Sequence, residues 1–202
     1  MKKYYILSIV LFIFTFMSHA TSFQEGIHYE QVGTQTKVKE KSVIEFFSVF
    51  CPHCYSFEKR YLPIIKKNLN KDIKFKQYHV NFINSTYAPR ITKAIAVSEL
   101  LQISKNIKQS LYITLHEKKQ SITNDAQVFA LFEQYGITKE EYEKANHSFL
   151  INIKTTEWEN KRKDFNIQAT PQFVVNEKYL VDTGSVNSVE ELAELFNYLA
   201  NK

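Results

Sequence analysis

The run VIEFFSVFCPHCYSFEKRYLP, residues 43–63, holds the only two cysteines of this 202-residue chain. Residues 42–50 are apolar on both faces of a period-two pattern, apart from Glu45 and two serines, which is the signature of a strand buried on both sides. Pro52 follows Cys51 directly and suits the first position of a helix, where its missing N–H costs nothing. From 52 to 69 the spacing of Tyr55, Leu62, Ile65 and Leu69 predicts a helical stripe. Pro63 lies well inside and predicts a kink. A central strand therefore passes straight into a helix, with Cys51 at the junction and Cys54 one turn further on.

The segment DIKFKQYHVNF, 72–82, reads as a second core strand, which completes a strand–helix–strand unit. From about 84 to 165 the pattern is helical throughout. Ser85 or Thr86 is expected to cap a helix with Pro89 in its first turn, running to about 102, and a second helix covers roughly 105–119. Asn124 caps a third, which ends near Gly136. The TKEE run at 138–141 is a capping box for a fourth, which merges or breaks near 149 before a long polar helix to about 165. Strand signals return in QFVV and KYLVD, joined by Asn176-Glu177 as a tight hairpin turn. Ser188-x-x-Glu191 opens the last helix as another capping box. With a short strand at 28–32, the order predicts an α/β fold over 21–83 and 166–202, with an inserted α-helical subdomain at 84–165.

The N-terminus, MKKYYILSIVLFIFTFMSHATSFQ, has a basic start, an apolar run over 4–17 and small residues at Ser18 and Ala20. That is a cleaved signal peptide over 1–20; the apolar run is short of the ~20 residues needed to cross a bilayer. The net charge of +5 falls to about +3 without Lys2 and Lys3, too small and too dispersed a surplus for nucleic acid. The basic run ENKRKDF at 159–165 also carries acids and reads as a solvated helix face.

Export changes how the cysteines are read. A secreted domain that needed staples would carry four or more cysteines at varied spacing. A zinc half-site would need two further ligands, and His28, His79, His116 and His147 show no paired ligand spacing. A structural disulfide across two residues would constrain the unfolded chain little. Redox chemistry is the favoured alternative. At a helix N-terminus the unpaired N–H groups favour a thiolate on Cys51, and His53 adds a donor and, when protonated, a positive charge. Such surroundings lower a thiol pKa from about 8.5 towards the ~3.5–7.5 range of reactive cysteines. A stabilised thiolate favours the dithiol over the disulfide, which makes the pair an oxidant.

Glu45 is the lone acid of the apolar strand and shares its face with Val43, Phe47 and Val49, so burial and a raised pKa are expected, with a role in moving protons to and from Cys54. Glu58, one turn beyond Cys54, is read as solvated, with a role in tuning the pair left open. In QATPQFVV, 168–175, Pro171 opens a strand.

VIEFFSVFCPHCYSFE, YHVNF and TPQFVVNEKY, in this order around a helical insertion, resemble the DsbA family of periplasmic thiol–disulfide oxidoreductases. The family is itself a standard case of a low-pKa cysteine and a strong oxidant, so this likeness and the direction argued above are one inference, not two. The resemblance implies a thioredoxin fold, Cys51 as exposed nucleophile, Cys54 as buried partner and Glu45 as the buried acid. It also implies Pro171 in cis, facing the sulfurs, with Thr170 contacting extended substrates. No cofactor beyond a Cys51–Cys54 disulfide is implied, and no metal. The implied partners are reduced exported polypeptides and a DsbB-like quinone-linked membrane oxidase that restores the disulfide. Thr170 stands where the enterobacterial form has valine, and a hydroxyl there is expected to soften the oxidant. Isomerases of the superfamily add a dimerisation domain, which residues 21–41 are too few to build, so a monomer is expected. A chaperone-like holdase is the alternative outside redox enzymes.

Overall fold

The computed structural model describes residues 23–34, 40–84 and 86–202; the segment 1–20 read as a signal peptide and the cap candidate Ser85 lie outside them. Five strands form one mixed sheet in the order β1-β5-β4-β2-β3. They are β1 (Tyr29–Gln31), β2 (Ser42–Phe47), β3 (Lys74–His79), β4 (Gln172–Val175) and β5 (Tyr179–Val181). β2 pairs parallel with β3 and antiparallel with β4, and every residue of β2 is buried. That accounts for its apolar reading on both faces. β1 adds to the far edge against β5, where Gly33 meets the hairpin so closely that a Cβ would lie 2.0 Å from the Glu177 carbonyl oxygen.

The helix after β2 comes in three pieces: α1 (Pro52–Ser56), a π-helical segment (Phe57–Tyr61) and α2 (Leu62–Asn68). The predicted kink is this π segment. Pro63 has no N–H to donate and its ring crowds the carbonyl four residues back, while the Leu62 N–H reaches back five residues to the Phe57 carbonyl. The extra residue rotates the faces beyond it. Tyr55 therefore packs into a core with Tyr112, whereas Leu62, Ile65 and Leu69 pack into another with Phe173 and Phe196. The single stripe expected from their spacing is divided in two.

Between β3 and β4 run α3 (Ala88–Leu100), α4 (Ser104–Tyr112), a second π segment (Ile113–Glu117), α5 (Asp125–Glu133), α6 (Lys139–Asn146) and α7 (Phe149–Asp164). Asn124 with Gln127, and Thr138 with Glu141, form complete capping boxes. The break before α7 falls at His147-Ser148, with Ser148 as the cap. Thr86 does not cap α3; Tyr87 stands at that position without a side-chain cap, and the Asn84 carbonyl accepts the Tyr87 and Ala88 N–H groups instead. The last helix, α8 (Val189–Asn201), is capped by the Ser188 hydroxyl, but Glu191 reaches back to the Asn187 N–H, one residue short of a reciprocal box. Asn176 and Glu177 both have φ of +54°, the conformation of a type I′ turn. The basic run is only partly solvated, since Arg162 forks onto Glu159 and the Ile167 carbonyl, and Lys161 pairs with Glu177.

This is a thioredoxin-like fold with an inserted helical region. α2 and α8 cover one face of the sheet, where Phe57, Phe173 and Phe196 meet ring to ring. α7 covers the other, where Phe46 meets Tyr78 and Phe165 edge to face and Tyr78 stacks on Trp158.

Candidate active site

Cys51 occupies the N-cap of α1 with extended backbone (φ −91°, ψ 119°) and Pro52 at the first helical position. Its carbonyl accepts the Tyr55 N–H at 3.1 Å and its own N–H donates to Ser48. The loop that delivers it, 48–51, is held by two histidines from outside β2. His79 Nε2 accepts the Val49 N–H at 3.2 Å, and His116 Nε2 donates to the Val49 carbonyl at 2.7 Å. The first contact sets the His79 tautomer: Nδ1 carries the hydrogen and donates to Thr92 Oγ1, which donates onward to Asn81. Burial pushes the His79 pKa down to about 3, so the ring is neutral. Neither histidine was assigned to this loop from the sequence. The signal that could have found His79 is its place on the same face as Ile73 and Phe75 in an alternating core strand, where a buried ring needs polar partners.

Both cysteines are free thiols, and their environments differ. Cys54 is fully buried, and Cys51 exposes only 7% of its surface. Cys51 is thus the accessible member of the pair but a recessed one, not the exposed sulfur the resemblance implied, and the Thr170 carbonyl lies against it. Its Sγ is 3.4 Å from the Thr170 carbonyl oxygen, and the Thr170–Pro171 bond is cis. The Cys51 pKa falls to about 5, first through a hydrogen bond from the Cys54 thiol; burial opposes the fall, and Thr170 and the Cys54 and His53 backbone N–H groups add to it. The Cys54 pKa is pushed far up, first by the shared hydrogen bond with Cys51 and then by burial.

Two details differ from expectation. His53 acts on the sulfur through its backbone N–H, while its imidazole stands exposed and lines a neighbouring groove. The Thr170 hydroxyl, buried and without a well-formed hydrogen bond, favours the thiolates of both cysteines. That pull is towards the thiolates, where a softer oxidant was expected from a hydroxyl at that position; the redox equilibrium of T170V measures which prevails.

Glu45 is 1% exposed, and burial raises its pKa to about 8. The parallel register sets it beside Gln77, whose Nε2 donates to Glu45 and to Glu58, each at 2.8 Å. Glu58 is not solvated as expected: Lys108 from α4 donates to it at 3.0 Å and also to the Gln77 carbonyl oxygen. Lys108 could have been noticed, because it falls between Ile107 and Leu111 on the buried side of α4. Nearby, Tyr55 stacks on Tyr112 and His116 with ring centroids 5.1 and 5.4 Å away. Among the described residues no group of three or more His, Cys, Asp or Glu side chains is placed to hold a metal ion.

Beside the sulfurs lies a groove of about 520 Å³, lined by His53, Phe57, Tyr61, Pro171, Phe173 and Val189 among others. It is concave and largely apolar, with polar groups at its edges, as peptide-binding clefts are.

A thioredoxin family model matches residues 36–195. The chain is 36% identical to the thiol:disulfide interchange protein DsbA of Haemophilus influenzae, over 93% of this chain and 91% of that protein. It is 30% identical to DsbA of Escherichia coli strain K12, over the whole of both. Among solved structures it is similar to Klebsiella pneumoniae DsbA, with a TM-score of 0.81 at 28% identity, covering 91% of this chain and all of the other. It is equally similar to Proteus mirabilis DsbA with a non-covalently bound peptide PWATCDS, with a TM-score of 0.81 at 26% identity over 90% of this chain and all of that one. The chain belongs to the DsbA family of thiol:disulfide interchange proteins.

Proposed function

We propose that this protein is a dithiol oxidase that places disulfides in exported polypeptides by giving up its own Cys51–Cys54 disulfide. The observation that carries this is the asymmetry of the pair: a stabilised thiolate on Cys51 beside a buried Cys54 that retains its proton. In the oxidised enzyme a substrate thiolate attacks Cys51 Sγ, the Cys51–Cys54 bond breaks, and Cys54 leaves with the electron pair. The Cys54 thiolate takes up a proton, and Glu45 is the buried acid that supplies it. A second substrate thiolate then attacks the substrate sulfur of the mixed disulfide and expels Cys51 as its stabilised thiolate. The substrate loses two electrons and the enzyme gains them.

Pro52 starts the helix that polarises Cys51, and the backbone N–H of His53 points at the same sulfur. Thr170 and Pro171 form the wall against which an extended substrate aligns. The groove beyond Pro171 takes the flanking residues; the cysteine-containing peptide held by the Proteus mirabilis relative supports this. Residues 1–20 direct export to the periplasm and are removed. Residues 21–83 with 166–202 form the redox domain and 84–165 the insertion. The protein acts as a monomer without a metal or organic cofactor, and a DsbB-like quinone-linked membrane oxidase restores its disulfide. Oxidative refolding of a reduced, unfolded protein tests the whole: the wild type forms disulfides in it, and C51S forms none. Activity retained in C51S indicates a holdase and contradicts the proposal.

A further inference from the structure

Two carboxyl groups, one amide and one ammonium meet where β2, β3, the π segment after α1 and α4 come together, and their hydrogen-bond geometry assigns each a state. Both hydrogens of the Gln77 amide are used, one on Glu45 and one on Glu58. The amide oxygen accepts from Lys108, which fixes the orientation of the amide, since an NH₂ group could not face an ammonium. Lys108 also meets Glu58 directly at 3.0 Å but makes no hydrogen bond to Glu45. Its side chain is only 8% exposed, and a buried ammonium persists only when paired.

We propose that Lys108, carried by α4 of the inserted region, is a positioning residue for proton exchange at Cys54: it holds Glu58 as the anion of the cluster and leaves Glu45 as the group that carries the proton. The inference rests on the proton-carrying role of Glu45 given above and extends it to a residue outside the redox domain. One ammonium balances one carboxylate, so a second buried negative charge would stand uncompensated. Glu58 has the direct ion pair and partial exposure; Glu45 has neither, so the proton resides there.

When Cys54 leaves as a thiolate, the proton passes from the Glu45 carboxyl to Cys54 Sγ, and no electron moves in that step. The cluster is then briefly two carboxylates against one ammonium, and Lys108 is what keeps that state accessible. On reoxidation the proton returns. Other ionisable groups within electrostatic range do not replace it. Lys66 of α2 makes no hydrogen bond or ion pair with either carboxyl or with Gln77; burial and then the Lys108 charge lower its pKa, while Glu58 and Glu45 oppose the fall. The Tyr112 hydroxyl, buried without a partner and in the field of both sulfurs and both carboxyls, stays protonated.

The test follows the Glu45 carboxyl by isotope-edited infrared spectroscopy, alongside the glutathione equilibrium of the Cys51–Cys54 pair, from about pH 5 to about pH 10. In K108M the Glu45 midpoint moves up by about one unit or more, a tenfold or larger change in acidity, and the pH dependence of the redox equilibrium moves with it. K108R restores both. E58Q frees the ammonium and moves the Glu45 midpoint down, which keeps the proposal open to test if K108M does not fold. A Glu45 midpoint unmoved in folded K108M, or in E58Q, overturns the role of Lys108. If E45Q flattens the pH dependence while K108M matches the wild type, Lys108 alone is wrongly assigned. If E45Q leaves it unchanged, the proton-carrying role of Glu45 falls, and the Lys108 proposal with it.

Discussion

Cys51 Sγ lies 3.4 Å from the carbonyl oxygen of Thr170, so the thiol faces a hydrogen-bond acceptor on one side and the N–H groups of α1 on the other. An acceptor suits a protonated thiol, whereas N–H donors suit a thiolate. The donors and the Cys54 thiol prevail.

That balance gives the reduced protein a defined pH dependence. The folded Cys51 pKa of about 5 lies below the thiol reference of 9.0. Between these values the unfolded chain binds the extra proton, so stability rises with pH and is lost as pH falls through 5. Above about 9 the gain ends because an unfolded Cys51 also ionises, and stability then falls, because the buried Cys54 holds its proton while an unfolded Cys54 releases one. The oxidised form carries neither effect. Urea unfolding of both forms across this range should show the reduced form gaining on the oxidised one by a few kcal/mol, about 1.4 kcal/mol for each unit of pKa difference.

Glu45 has the opposite sign. Its folded pKa of about 8 exceeds its reference of 4.5, so the folded state binds the extra proton and stability falls as pH rises from 4.5 to 8. E45Q removes this slope. The variant should match the wild type near pH 5 and exceed it at pH 8 by on the order of 2–4 kcal/mol, measured by urea unfolding at the two pH values.

Replacing Thr170 by Val removes a buried hydroxyl that has no well-formed partner, so stability should change by less than about 1 kcal/mol or improve. The same hydroxyl favours the Cys51 thiolate. T170V should therefore raise the Cys51 midpoint, followed by thiolate absorbance, and make the protein a weaker oxidant.

His79 anchors the active-site loop through Val49 and, on its other side, Thr92. H79F leaves the Val49 N–H and the Thr92 hydroxyl short of a partner and should cost about 2–4 kcal/mol. It should also reduce acid sensitivity. The native ring stays neutral down to about pH 3, so stability falls as pH drops below 6.5, the reference value at which the unfolded histidine begins to charge. Denaturant titrations of both proteins above and below that value separate the two effects.

Much of the fold could be read from local chemistry. A doubly apolar strand, a proline after Cys51, two capping boxes and a hairpin turn each act within a few residues, and each forms. Glu45 was found because one acid in an apolar strand has few places to go. What escaped notice depends on distant segments meeting. Nothing near Glu58 in sequence announces Lys108, fifty positions away, and without that partner a helical glutamate reads as solvated. The recess around Cys51 is likewise closed by the Thr170 carbonyl, 119 positions away, which the pairing of β4 with β2 brings across. The π segment is an intermediate case: Pro63 announced the kink, but not the added residue that turns Tyr55 away from Leu62.

The central claim is that this pair is poised to accept electrons because its reduced form is stabilised at Cys51. Equilibrating the Cys51–Cys54 couple with a graded glutathione buffer at neutral pH measures that directly. A couple on the oxidising side of glutathione, reduced by modest amounts of it, is the predicted result. A potential near the ~−270 mV of reducing thioredoxins would contradict the account.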